Sequence, residues 1–323
     1  MNRFQSMLVY IVKRLLMTLL VLLMIVVFLS LLVHIVPGDP ATMILGPRAT
    51  PALIQQMRSA MDLDKPIYVQ IGHFLWNILH GSLGVDALTG VPITKLIGSS
   101  LPQTMILAIS SLLLAILLGV PIGMYSATHT NSLPDRILTI GSISLTTIPS
   151  YVAGLFLLLI FAVDVHALPA MGIGKAGDTL DYIKHLILPT VALAITWIGY
   201  LGRLVRTSLL EVFNETYVRA SRAAGISERL IRYRYALKNA LIPTVAILGV
   251  GLGSLMGGAV FIEIIFTRPG MGLLIFNAIQ TRNYPLVRAG VFVVAVLFVL
   301  ANFIADLIYT YLDPRIQLNK GKA

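Results

Sequence analysis

The chain has 323 residues, of which 57% are hydrophobic and only 12% charged, with a mean hydropathy of +0.88. Soluble domains carry about 25% charged residues, so this composition excludes a water-soluble fold and points to an all-α, polytopic membrane protein. With no cysteine, disulfide scaffolds, Cys-based zinc sites and thiol nucleophiles are excluded as well. The net charge of +10 has no basic stripe interleaved with aromatics to suit a nucleic acid, and is better explained by cationic cytoplasmic loops.

A spanning helix needs about 20 mostly apolar residues, so candidate spans are the stretches between charges. Leu15–Val36 follows Lys13 and Arg14, is too long for a signal-peptide core, and runs into Pro-Gly-Asp-Pro (37–40) instead of a cleavage site. It reads as an uncleaved anchor. A second span lies within Leu96–Thr128, a third between Arg136 and Asp164, and a fourth between His185 and Arg203. The fifth lies between Lys238 and Glu263, and the sixth runs from beyond Arg288 past Asp306 to about Leu312. Six spans are expected.

On alternate sides of these spans stand fifteen Lys and Arg against nine, which places both termini in the cytoplasm. Arg268, Arg282 and Arg288 oppose that orientation, having few acids nearby. The expected organisation is an N-terminal segment and first helix (1–36), an extracytoplasmic cap (37–101), a five-helix core (102–313) and a cytoplasmic tail (314–323). In the cap, Thr50-Pro51 reads as an N-cap followed by Pro in the first turn, and Asp64–Pro66 offers a second helix start leading into 67–80. The other long connection, 203–239, carries a charge of +5 and is helical in pattern, too long to be a passive loop.

Chemistry is sparse. There is no G-x-x-x-x-G-K-[ST] loop, and Gly172-Ile173-Gly174-Lys175 lacks its spacing. The glycines at 249, 251, 253, 257 and 258 suit close helix packing, with Gly253 and Gly257 four apart on one face. His73 and His80, seven apart, lack the further ligands a metal site needs and read as ordinary surface histidines. Asp306 is deep enough in the sixth span to need protein or water around it, or else marks the helix end. No paired nucleophile and base suggests an intramembrane hydrolase, so no catalytic residue, metal or cofactor is expected in this chain.

Within 211–243 a helix is expected to run to Ala224, with Gly225 as its C-terminal cap and Ser227 capping the next helix. Ala220, Ala223 and Ala224 lie on or near one face, where another protein could approach closely. The alternative is a basic amphipathic elbow facing lipid. Pro243 then leads into the fifth span. The residues Tyr217-x-Arg219-Ala220-Ser221-Arg222-Ala223-x-Gly225 resemble the EAA loop of permease subunits of ABC importers. Arg219 stands where the general pattern has Glu, and Lys238–Pro243 falls later than in that pattern; both features are typical of the dipeptide/oligopeptide/nickel branch. Further motifs resembling that branch are 33–40, Leu-Pro-Gln-Thr (101–104), Leu-Pro-Thr (188–190), Arg203–Ser208, Phe-Thr-Arg-Pro-Gly-Met-Gly (266–272), Asn-Tyr-Pro-Leu-Val (283–287) and Asp-Pro-Arg-Ile (313–316). The long cap resembles the first, B-type, permease of such systems.

The resemblance implies a type I transmembrane domain in the bacterial inner membrane. Its implied partners are a second related permease forming a heterodimer, two cytoplasmic ATPases that hold ATP and magnesium, and an extracytoplasmic substrate-binding protein. Coupling to an ATPase would run through residues 211–239, with Tyr217, Arg219, Ala220, Ser221, Arg222, Ala223, Ala224, Gly225 and Ser227 as its residues and 219–229 docking, and spans two to five would line the pathway. Ser144, Thr146 and Thr147, near Pro149, are candidate lining groups. The implied cargo is a di- or oligopeptide, with nickel chelates, glutathione or opines as alternatives; a secondary carrier would need inverted repeats and buried charge, and neither is evident, while a channel or scaffold would fold alone and need no ATPase.

Overall fold

The structure is a computed structural model that describes residues 3–35 and 38–312, with side chains over 11–31 and 38–305. The Asp-Pro-Arg-Ile motif, the tail, the side chains of His34 and Asp306 and part of the 33–40 motif lie outside the described residues. A long helix α1 (Arg3–Ile35) is followed by three short ones, α2 (Pro40–Leu45), α3 (Pro51–Ala60) and α4 (Ile67–Leu79). Then come α5 (Ile93–Thr128), α6 (Leu133–Thr147) and α7 (Ser150–Leu157), the last continuing as a π-helical stretch, Leu158–Asp164. After α8 (Thr179–Phe213), the short helices α9 (Thr216–Ala223) and α10 (Glu228–Leu230), a π-helical stretch Ile231–Ala236, and α11 (Leu237–Ala240) form an elbow. The remaining helices are α12 (Ile242–Ile265), α13 (Met271–Gln280) and α14 (Tyr284–Leu312).

Among the described residues, five helical stretches are long and apolar enough to cross a membrane. They lie in α1, α5, α8, the run Glu228–Ile265, and α14. The expected third span is broken: α6 and the α7 stretch meet at 100° and make a sixth span only when counted together. The cause is local. Pro149 disfavours the helical region for the residue before it, and Ile148 is extended at φ −77°, ψ 119°.

The short helices start where their capping residues allow. Thr50 accepts from the Leu53 N–H at 3.4 Å, with Pro51 in the first turn. Pro66 precedes α4 without a side-chain cap, while Asp64 accepts from Ser59 Oγ at 2.6 Å and Gln55 Nε2 at 3.2 Å. Asp39, from the Pro-Gly-Asp-Pro motif, accepts from the Thr42 N–H at 3.2 Å and pairs with Arg58 at 3.1 Å. Partial burial pushes the Asp39 carboxyl up, but the Arg58 hydrogen bond and the Thr42 N–H outweigh it and hold the group below its usual value. A depressed carboxylate contributes its stability above the unfolded value and loses it as pH falls through the folded one. Amide-exchange protection of residues 40–60 should therefore be flat from neutral pH to about 4 and fall below that. Asp39→Asn, which keeps a capping oxygen, should remove that acid-sensitive step.

By contact clustering the chain divides into two compact units, residues 1–104 with 269–299 and residues 105–268 with 300–323. The first has a core of Val26, Phe74, Ile93, Ile97, Met271 and Ala289. Two of its motifs meet there, since the Met271 N–H donates to Thr104 Oγ1 at 2.8 Å. Asn283 Nδ2 donates to the buried Asp86, and the Arg288 guanidinium stacks on Phe74 at 4.4 Å.

In the second unit α6, α7 and α12 pack against α8. Asp178 starts α8 by accepting from Leu180 and Asp181 N–H groups, and Pro189 is tolerated inside it, beside a Thr190–Ser110 hydroxyl contact of 2.9 Å. Arg268 is fully buried and donates to Tyr182 Oη at 2.7 Å. Arg268 and Arg288 thus pack against aromatic rings of their own units and are not hydrated loop charges, the kind that orients spans. One packing expectation is corrected: Gly257 faces open space, and the close approaches on α12 are Gly249 onto Ala305 and Gly251 onto the Trp197 ring.

Candidate functional site: the basic elbow and the cavity wall

The elbow is built from a helix end, a tight turn and a return segment. The expected continuous helix to Ala224 is instead divided at Asn214–Glu215, so α9 is a separate helix. Its end is a Schellman motif: the Ile226 N–H bonds Ser221 O at 3.1 Å and the Gly225 N–H bonds Arg222 O at 3.0 Å. Gly225 has φ +73°, where a side chain would be strained, so glycine is favoured at this turn. Ser227 stands at the start of α10 in extended conformation, but its side chain makes no cap hydrogen bond.

One face of α9 is anchored and the other is open. Val218, Ile231, Ala236 and Ala240 have no exposure, which seats α9 against the return segment. Asn239 Nδ2 donates to Tyr217 Oη at 2.8 Å. Arg219 donates to Asn214 O at 3.0 Å, capping the C-terminal end of α8 where a cation is favourable. Arg222 pairs with Glu228 at 2.7 Å across the Gly225 turn, and Ser221 Oγ bonds back to Tyr217 O at 2.8 Å. Tyr217, Arg219, Ser221 and Arg222 thus bond within the elbow, although Tyr217, Arg219 and Arg222 are exposed along with Ala220, Ala223 and Ala224. A shallow concavity of about 360 Å³ beside the turn is lined by Ser227, Arg229, Leu230 and Tyr233. The arrangement is an exposed face carrying Ala220, Ala223 and Ala224 among internally bonded polar side chains, next to a partly apolar depression, suited to a protein partner.

A second concavity, about 490 Å³, opens where α6 and α7 break apart. Thr146, Thr147 and Pro149 line it from the break, Thr196 and Trp197 from α8, and Ser254 and Gly257 from α12. Thr196 Oγ1 donates to Ile148 O at 3.1 Å, satisfying one carbonyl freed by the break. Irregular backbone at membrane depth is tolerated where it is buried in protein or lines a wet cavity. Of the three candidate lining residues, Thr146 and Thr147 border the cavity and Ser144, though exposed, does not.

Sequence reasoning missed one constellation in the same unit. Arg206 reaches the almost fully buried Asp135 with two donors, Nε at 2.8 Å and Nη2 at 3.0 Å. Ser126 Oγ also donates to Asp135, and the Asn131 N–H does so at 3.0 Å. The two charges are 71 residues apart, so only the fold brings them together. As for metals, no group of three or more His, Cys, Asp or Glu among the described residues could hold an ion. His73 lies 3.1 Å from Lys65 Nζ, and His80 Nδ1 is 2.8 Å from Trp76 O.

Apolar helices of bilayer length, one of them broken beside a cavity, define an α-helical membrane protein. Residues 119–318 match the model of the binding-protein-dependent transport system inner membrane component, and residues 7–109 match that of its N-terminal region. The chain belongs to this family, the permease components of ABC importers. It is 36% identical to a protein named Probable peptide ABC transporter permease protein in Sinorhizobium fredii, over 96% of this chain and 99% of that one. It is 34% identical to a glutathione transport system permease protein of Salmonella choleraesuis over the same shares, 96% and 99%. Identity to a Probable D,D-dipeptide transport system permease protein of Escherichia coli is 36%, over 90% of this chain and 92% of the other. A chain of the inward-facing MetNI methionine ABC transporter shares the fold, with a TM-score of 0.57 and 18% identity over 68% of this chain and 98% of that one.

Proposed function

We propose that the chain is one of two related permeases forming a peptide-conducting pathway in the bacterial inner membrane, with both termini cytoplasmic. The observation that carries this reading is the elbow: its polar side chains are spent on bracing, leaving Ala220, Ala223 and Ala224 uncovered for a partner. The partner is a cytoplasmic ATPase, two of which hold ATP and magnesium, so this chain itself performs no catalysis. ATP-driven closure of the ATPases moves the elbow and switches the pathway, which requires that ATP bind the two states with different affinity.

The relatives named for peptides, D,D-dipeptides and glutathione share one cargo chemistry, the short peptide, and that supports the same cargo here over nickel chelates or opines. The cavity wall supplies hydroxyls and aromatic rings without charge, which suits passage of varied peptides, selection being left to the binding protein. The region 37–101 receives that protein on its outer face. In proteoliposomes holding the whole complex, a dipeptide should stimulate ATP hydrolysis only when the binding protein is added. Micromolar binding of the dipeptide to the permeases alone would overturn this division of labour.

A further inference from the structure

We infer that α6 and α8 are clamped by the Arg206–Asp135 pair into a single lever that carries elbow motion to the cavity wall, with Arg206 and Asp135 as positioning residues. The inference rests on the proposed coupling through the elbow. Four observations in the second unit support it. First, the clamp joins three helices: Asp135 from the first turn of α6, Arg206 from α8 and Ser126 near the end of α5. The bidentate geometry fixes both position and orientation of the guanidinium, which a single contact would not. Second, both clamped helices reach the same cavity. Asp135 is eleven residues before Thr146, and Arg206 is ten after Thr196, so each helix spans about 15 Å between clamp and wall.

Third, the two helices are in close contact between these points. A Cβ added at Gly199 would collide with the Ser142 carbonyl, and one at Gly202 would lie 3.3 Å from Ser142 Oγ. Interfaces packed this tightly do not slide continuously. Fourth, α8 runs on from the clamp to the elbow, where Leu209 shares a buried cluster with Ala236 and Ala240 of the return segment. The Phe213 ring lies 5.9 Å below the Arg222 guanidinium of α9. A displacement of α9 therefore enters α8 directly, and the ion pair makes α6 follow, with the broken backbone at Ile148–Pro149 at its far end.

The chain has no cysteine, so the lever can be tested by cross-linking. Ser142→Cys with Gly202→Cys places two thiols across the α6–α8 contact, within reach of a disulfide whose Cβ atoms stand about 3.8 Å apart. In the reconstituted complex with partner cysteines replaced, the oxidised form should transport within twofold of the reduced form. Asp135→Asn should lower peptide transported per ATP hydrolysed at least tenfold while more than half of the ATP hydrolysis persists. Adding the disulfide to Asp135→Asn should restore the ratio, which a loss of stability alone would not predict. Transport stopped by the disulfide in the otherwise native chain and regained on reduction overturns the lever, as does an unchanged ratio in Asp135→Asn. If Asp135→Asn fails to assemble, the native-chain cross-link decides the matter. Failure of the coupling reading is separately visible, as normal transport by Ala223→Trp with its clamp intact.

Discussion

Ala223→Trp is expected to abolish peptide uptake while the protein remains folded in the membrane. Ala223 is exposed at the end of α9, one residue before the Schellman turn, and its side chain braces nothing. Surface substitutions away from packed features usually change stability by less than about 0.5 kcal/mol, so the fold should tolerate the indole. A close-fitting interface does not, because overpacking its centre separates the surfaces and strands the surrounding contacts. The measurements are uptake in proteoliposomes, at least hundredfold down, and co-purification of the ATPase, lost or much weakened. Normal uptake with ATPase retained would place the docking face elsewhere, on the basic outer side of the elbow.

Gly257→Trp is expected to block transport for a different reason, by filling the cavity. Nothing stands within 4 Å of a Cβ added at Gly257, and tryptophan relieves part of glycine's helix-propensity cost of about 1 kcal/mol relative to alanine. The variant should therefore assemble normally and bind the ATPase, yet transport at least tenfold less. Gly249, two turns earlier on α12, is the informative contrast, since an added Cβ there would collide with Ala305. Gly249→Leu should lower the melting temperature of the complex by several degrees. If Gly257→Trp transports at the native rate, the cavity is not on the pathway, and Thr146 and Thr147 lose their proposed role.

The elements legible in the sequence are those set by neighbours in the chain. Thr50-Pro51 starts a helix because a hydroxyl and a fixed φ act within one turn, and Gly225 ends one because only glycine takes φ +73° without strain. The run from Tyr217 to Gly225 was readable as a helix ending at a glycine turn, while its docking role came only from resemblance to the EAA loop. The break at Asn214–Glu215 was not, since neither residue forbids helix. Ile148-Pro149 carried a local signal, but apolar residues on both sides made one 27-residue window look like a single span. Ser144 and Thr146 could not be told apart, because which hydroxyl reaches the cavity depends on the 100° bend.

By composition alone the sequence determined a polytopic helical membrane protein, and the permease class came from the resemblance of its motifs. Too few charges for a water-facing surface, apolar runs of bilayer length and one long basic helical connection admit little else. Tertiary structure alone decided which polar groups brace and which are free. Arg219 and Arg222 stood in the sequence only as members of the EAA-like motif, and the fold bonds them to Asn214 and Glu228. Asp135 and Arg206 carried no pairing signal in the sequence, and only the packing of α6 against α8 brings them together. The physical reason is range: dihedral preferences and hydropathy act within a few residues, whereas a buried charge is tolerated only by a partner that chain folding delivers.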